Sequence, residues 1–286
     1  MVKKKPDEVH FMCYGFQTPK HVNVVDEFFQ ILKETDESYL PKKISICGSD
    51  KTLYSVENAK KLWIKSREEM SFYNIDLHHP KYTGSINWGP RNETEISLWI
   101  KTDFITKKNG TRKFLELAQK LFLWSNSVFG FTCHISKLCG APGPGLTYKT
   151  CLGDIGWMTL FGLPYVEMFG REVIETVPCK VEEFAENYFM LLTSDEPVRK
   201  SPEILEIQEK VKMHLGEDAF DRKDPQIRIL TMEDLIAGKN ITSREGYRSP
   251  DLSEYLTDSE VKCDEGLIAI VNEDGTIITH KINPEK

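Results

Sequence analysis

The sequence predicts an α+β protein: a mixed or antiparallel sheet with helices packed on it, ended by a C-terminal β-hairpin. Three observations carry that expectation. Short apolar runs of strand type alternate with longer runs of helical period. Turn signals are frequent enough to join strands as hairpins and not only through crossover helices. The last segment, GLIAIVNEDGTIITHKI, alternates apolar and polar residues on both sides of Asp274-Gly275, as a two-stranded ribbon does.

Taken in order, VHFMCYGF (9–16) is the first strand and VNVVDEFFQILKE (22–34) the first helix, with Val25, Phe28, Phe29 and Leu32 on one stripe. KISICG (43–48) is a short strand. Ser55 caps a helix whose inner face is Val56, Ala59, Leu62 and Trp63, with Glu57 offsetting its dipole. Residues 74–93 look loop-rich. EISLWIKT (95–102) puts Ile96, Leu98 and Ile100 on one face of a half-buried strand. After the Asn109-Gly110 turn, Phe114, Leu117, Ala118, Leu121 and Phe122 face inward from a helix over 111–125, and VFGFTCHIS (128–136) follows as a strand. REVIETVP and NYFMLLTS suggest a strand pair. Ser201-Pro202-Glu203 opens a helix that presents Ile204, Ile207, Val211 and Leu215, pairs Glu206 with Lys210, and stops at Gly216. These elements fit a single α+β domain over 1–236, with 237–286 a polar wrap and the terminal hairpin.

Composition narrows function by exclusion. The formal net charge is −7. It is unevenly placed: residues 1–181 hold 24 Lys and Arg against 20 Asp and Glu, and residues 182–286 hold 13 against 24. An acidic half repels phosphates, so no nucleic-acid partner is expected, and it suits a basic protein partner. Seven irregularly spaced cysteines are expected as free thiols in a reducing compartment, with Cys13, Cys47 and Cys133 buried in strands. No apolar run reaches the length of a membrane span and the N-terminal stretch lacks a signal-peptide core, so the expected location is cytoplasmic.

Tests for chemistry are negative. GAPGPG (140–145) has the glycines of a phosphate cradle, but Leu146-Thr147 stands where Lys-Ser/Thr would be needed, and Pro142 and Pro144 remove backbone donors. Cys133, His134, Cys139 and Cys151 lack metal-ligand spacing, and His78-His79, which could bind a metal with a carboxylate such as Asp76, reads as a surface pair, so no metal and no cofactor is expected. No nucleophile elbow or zinc-enzyme motif occurs, and no catalytic residue is assigned.

GDIGWMTLFGLPYVEMFGRE (153–172) spaces Trp157, Phe161, Tyr165 and Phe169 by four. Pro164 prevents one continuous helix. The expectation is two short helices, Trp157–Phe161 ended by Gly162 and a second from Pro164 to Gly170, packed mostly into a core, with Asp154 as a helix cap. This segment, with VIETVP, NYFMLLTS and PEILEIQEKVKMHLGEDAFDRKDP after it, resembles the immunity protein 52 class of bacterial polymorphic-toxin systems. The resemblance spans roughly residues 150–225. It rests on Trp157, Phe161, Gly162, Pro164, Tyr165, Glu167, Phe169, Gly170, Arg171 and Glu172. It implies a non-catalytic cytosolic protein that binds and blocks a cognate toxin.

A basic nuclease would be a complementary target, and the acidic residues available to meet it are Glu182, Glu183, Glu186, Glu217, Asp218, Asp221 and Asp224. The alternative is a cytosolic enzyme or small-ligand protein with a pocket near 139–172, gathering Asp154, Glu167 and His134. A third reading uses the terminal hairpin as an assembly edge.

Overall fold

The computed structural model describes residues 7–16, 23–70, 72–88, 94–134, 152–197, 201–220, 248–252, 267–271 and 277–281. In chain order the elements are β1 (Glu8–Gly15), α1 (Val24–Thr35), β2 (Lys43–Ser45), β3 (Thr52–Leu53), α2 (Val56–Met70), β4 (Tyr73–His79), β5 (Tyr82–Trp88) and β6 (Thr94–Lys101). Then come α3 (Thr102–Ile105), α4 (Gly110–Trp124), β7 (Ser127–His134), β8 (Met158–Phe161), α5 (Leu163–Phe169), α6 (Arg171–Glu175), β9 (Lys180–Ala185), β10 (Tyr188–Leu192) and α7 (Pro202–Leu215). β11 (Leu267–Val271) and β12 (Ile277–Lys281) pair as the expected hairpin.

β1 to β10 form one antiparallel sheet in the order β3-β2-β4-β5-β6-β1-β7-β8-β10-β9. The protein is α+β, with helices on both faces of this sheet. β1 lies near its middle, and its alternating side chains enter two different cores. Val9, Phe11 and Cys13 face a core made with α1, α2 and α4, where Phe28, Phe29, Trp63, Phe114, Leu117 and Phe122 are buried. Met12 and Tyr14 face a second core made with α5, α6 and α7, where Phe129, Phe131, Phe161, Tyr165, Phe169 and Val211 are buried. α4 lies close against β7 at Gly130: a Cβ there would stand 3.2 Å from both Cys13 Cβ and Phe122 Cδ2. Leu252 is buried in the second core. Arg248 bonds the Leu215 carbonyl at the end of α7 and lies 5.2 Å from the Phe169 ring centroid, so residues 248–252 dock there.

The helix boundaries follow their sequence signals. Ser55 accepts from the Asn58 amide at 3.1 Å, and Ser201 accepts from the Ile204 amide at 3.3 Å. Glu206 and Lys210 pair at 2.7 Å. Four expectations are corrected. The 74–93 stretch holds two strands, β4 and β5, paired from Tyr73↔Trp88 to His79↔Tyr82. Trp157–Phe161 is a strand approach and strand, and Arg171–Glu175 is a helix, so β10 pairs with β8 and β9 instead. Cys47 is exposed at a turn with φ 38, because β2 ends at Ser45 and side chains of β4 hold the turn: Asn74 Oδ1 accepts from the Cys47 amide at 2.8 Å and Asp76 Oδ2 from the Gly48 amide at 3.0 Å. Cys13 and Cys133 are buried as expected, and burial pushes the Cys13 thiol up to about 12. Among the described residues, no helix is long and apolar enough to cross a membrane.

The margin of the second core carries a pH dependence. His10 on β1 is buried, its ring stacks on Trp99 at 3.7 Å, and its Nε2 lies 2.9 Å from Ser97 Oγ. Burial disfavours the imidazolium and lowers its pKa to about 4. A base held neutral in the fold contributes stability that is complete above the unfolded pKa of about 6.5 and is lost as pH falls toward 4. The loss is on the order of 3 kcal/mol for a shift of this size. Urea denaturation of the protein and His10→Gln at pH 7.5 and pH 4.5 should show the gap between them change by about that amount.

Candidate interaction surface

The segment 153–172 divides between the two cores. Trp157 Nε1 donates to the Ser194 carbonyl at 2.8 Å, and its ring lies parallel to Phe114 at 6.1 Å in the first core. Phe161, Tyr165 and Phe169 enter the second core: Phe161 is 5.5 Å from Tyr165 and 5.3 Å from Phe169, and Phe129 is 5.5 Å from Tyr165. The four-residue spacing therefore belongs to no single helix. Strand β8 ends at Phe161, and the next residue, Gly162, donates its amide to the Val128 carbonyl at 2.9 Å; a Cβ on Gly162 would stand 2.7 Å from the Ser127 carbonyl oxygen. Pro164 sits in the first turn of α5, where its missing N–H costs nothing. Gly170, at φ 88, joins α5 to α6, a conformation that suits glycine.

The charged members of the segment act at the surface. Arg171 Nη1 donates to Glu183 Oε1 at 2.9 Å and Nη2 donates to Glu183 Oε2, while Nε donates to Glu175 at 2.8 Å. Its guanidinium lies 5.3 Å from the Phe189 ring centroid. Arg171 thus ties α6 to the edge strand β9. Glu167 and Glu172 are exposed. Asp154 caps no helix: its carboxylate accepts from the Ile155 amide at 2.9 Å and pairs with Lys212 of α7 at 3.3 Å. No interaction joins Asp154 to Glu167 among the described residues, and aromatic rings fill the space inside α5. The 139–146 loop and the His134 side chain lie outside what is described.

The acidic residues separate into two places. Glu182, Glu183 and Glu186 lie on and just after β9, an outer strand of the sheet. Glu182 accepts from Gln119 at 3.1 Å, Glu183 is neutralised by Arg171, and Glu186 is exposed. The Arg171 pair holds the Glu183 carboxyl below its usual range. Glu217 and Asp218 follow α7; Glu217 is exposed, and Asp218 pairs with Arg248 at 3.4 Å. Asp221 and Asp224 lie outside the described residues. Among those residues, no cluster of three or more His, Cys, Asp or Glu side chains is placed to hold a metal ion.

One polar surface is not among the sequence candidates. The second core involves β1, β7, β8 and β10 but no residue of β4, β5 or β6, so the α5–α7 layer stops short of those strands. The face they turn away from the first core carries Asn74, Asp76 and His78 on β4, Thr83, Ser85 and Asn87 on β5, and Glu95, Ser97, Trp99 and Lys101 on β6. The register lines them up as Asn74–Asn87–Glu95, Asp76–Ser85–Ser97 and His78–Thr83–Trp99. Asn74 Nδ2 donates to Asn87 Oδ1 at 2.7 Å, and Ser45 Oγ lies 2.8 Å from His78 Nε2. This is not a hydrolytic triad: Asp76 reaches the Ser45 hydroxyl, at 3.4 Å, and Ser45 is fully buried.

No protein-family model matches the chain, and no curated protein matches it. Among solved structures, the Pseudomonas aeruginosa T6SS protein PA0821 superposes with a TM-score of 0.50 at 8% identity, over 77% of this chain and 78% of that one. At that identity the likeness is one of fold. The resemblance of residues 150–225 to the immunity protein 52 class has no matching family model beside it.

The aromatic packing has a direct consequence. Trp157→Ala and Tyr165→Ala each open a large hole in a filled core and should cost about 3–5 kcal/mol in urea denaturation. Near-wild-type stability in either variant would mean that its ring serves binding and not the core.

Proposed function

We propose that this chain is an immunity-type protein that neutralises a cognate bacterial toxin by binding it, without chemistry of its own. The observation that carries the reading is the fold held in common with a T6SS protein over most of both chains. The segment resembling the immunity protein 52 class supports it. The surface charge is compatible: Glu182, Glu186 and Glu217 lie at the surface and can steer a basic partner into encounter. Asp218 and Glu183, already paired within the chain, contribute less to that field.

Co-expression with the product of the adjacent gene in a bacterial host tests the reading. Restored growth and co-elution on a sizing column are expected. A harmless neighbour, unrelieved killing, or separate elution would contradict it. In stopped-flow mixing, replacing Glu182, Glu186 and Glu217 with Gln should slow association roughly tenfold at low salt. The difference should vanish as salt screens these exposed charges, with dissociation unchanged.

A further inference from the structure

The main sheet ends on two unequal edges. β3 holds two residues and pairs with β2 at Lys43↔Leu53 and Ile44↔Thr52. β9 holds six and, among the described residues, pairs with β10 on one side and with no strand on the other. Alternate residues of such a strand point their N–H and C=O groups outward, where the sheet offers them no partner. The paired acids of β9 lie over the faces of the sheet and leave that edge open. Glu182 accepts from Gln119 of α4 on one face, and Glu183 is held by Arg171 of α6 on the other. Helical layers therefore reach β9 from both faces. Leu123, one turn beyond Gln119 on α4, is exposed.

β11 and β12 form a separate two-stranded sheet. A two-stranded ribbon is marginal in water by itself and needs further strands or a covering helix. β11 reads Leu-Ile-Ala-Ile-Val, apolar at every position, the pattern of a strand covered on both faces. β12 reads Ile-Ile-Thr-His-Lys, and its polar second half suits an outer position. The chain also approaches the hairpin from the β9 side of the molecule. Residues 248–252 dock against the end of α7 and the Phe169 ring, and Arg171, two residues after Phe169, reaches β9. Fully extended, residues 253–266 span about 45 Å.

We propose that the hairpin of the same chain extends the main sheet at β9, with β11 beside β9 and β12 as the new edge, in the order β8-β10-β9-β11-β12. The five residues of β11 match the six of β9, whereas β3 offers two. The place beside β9 lies between the α4 layer and the α6 layer, so a strand with no polar face is covered there on both sides. The open face of β4 to β6 is polar and gives an apolar strand little to bury against. The new order ends the sheet on a strand that closes with Lys281, a residue type that discourages further strand pairing. The inference stands apart from the partner-binding reading. It closes β9 to any partner that would bind by adding a strand there.

Amide hydrogen exchange and nuclear Overhauser contacts on the full isotope-labelled chain test it. The alternate β9 amides that do not bond to β10 should exchange about a hundredfold slower than unpaired amides. Overhauser contacts are expected between the backbones of β9 and β11, and reading them in the wild type needs no variant. Ile270→Pro removes a backbone donor in the middle of β11. In that variant the outward β9 amides should return to the rate of unpaired amides while those of β1 keep their protection, which separates loss of the hairpin from unfolding. An equal mixture of chains carrying different isotope labels, with the mass from light scattering, reads which chain supplies the hairpin. Contacts within one chain at monomer mass are expected. Fast exchange of the outward β9 amides in the wild type, unchanged protection of them in Ile270→Pro, contacts from the hairpin to another element, or contacts only between chains would each overturn the inference.

Discussion

The whole architecture depends on β1 being buried on both faces. An antiparallel strand usually shows one face to a core and the other to water. β1 has no wet face over most of its length: Val9, Phe11 and Cys13 close one core and Met12 and Tyr14 the other. It bonds to β6 on one side and β7 on the other, eight and seven residues in register. Strands from the early part of the chain lie on its β6 side, and strands from the later part on its β7 side. The two helical layers are therefore stabilised through a common wall. A slip of one residue in β1 would exchange Phe11 with Met12 and spoil both cores together.

The same division explains the segment 153–172. A stretch that begins in one core and ends in the other needs large rings at each end and a compact joint between them. Trp157 serves the first core, Phe161, Tyr165 and Phe169 the second, and Gly162-Leu163-Pro164 makes the joint. Each ring contact adds about 0.5–1.5 kcal/mol beyond the area it buries. A segment under such packing constraints keeps a recognisable sequence for structural reasons, so its likeness to a family bears on fold more directly than on the surface that meets a partner.

Much of the fold was legible from residue pattern, and the errors have physical causes. The helices with strong stripes and good caps, α1, α2, α4 and α7, lie where their sequences place them, as do β1, β6, β7 and the terminal hairpin. β4 and β5 were hidden because their outer face is polar: Asn74, Asp76 and His78 alternate with Ile75 and Leu77, and the His-His-Pro ending resembles a loop. The interval of four from Trp157 to Phe161 imitates a helix, but Trp157 lies before β8 and enters the first core while Phe161 ends β8 and enters the second. REVIE lacks helix length, so its sequence suggests a strand; its helix is stapled by Arg171 to Glu175 and Glu183. The acidic candidates were visible from charge alone, but which of them are already paired within the chain depends on tertiary neighbours.

Native-state hydrogen exchange of the backbone amides tests the shared wall most directly. If β1 joins both cores, the amides of Phe11, Met12 and Cys13 exchange only through global unfolding, with the highest protection free energy in the chain, and their partners in β6 and β7 share it. If one layer instead opens while the other persists, β1 exchanges through a partial unfolding of lower free energy. That would contradict an architecture in which neither core survives without the other.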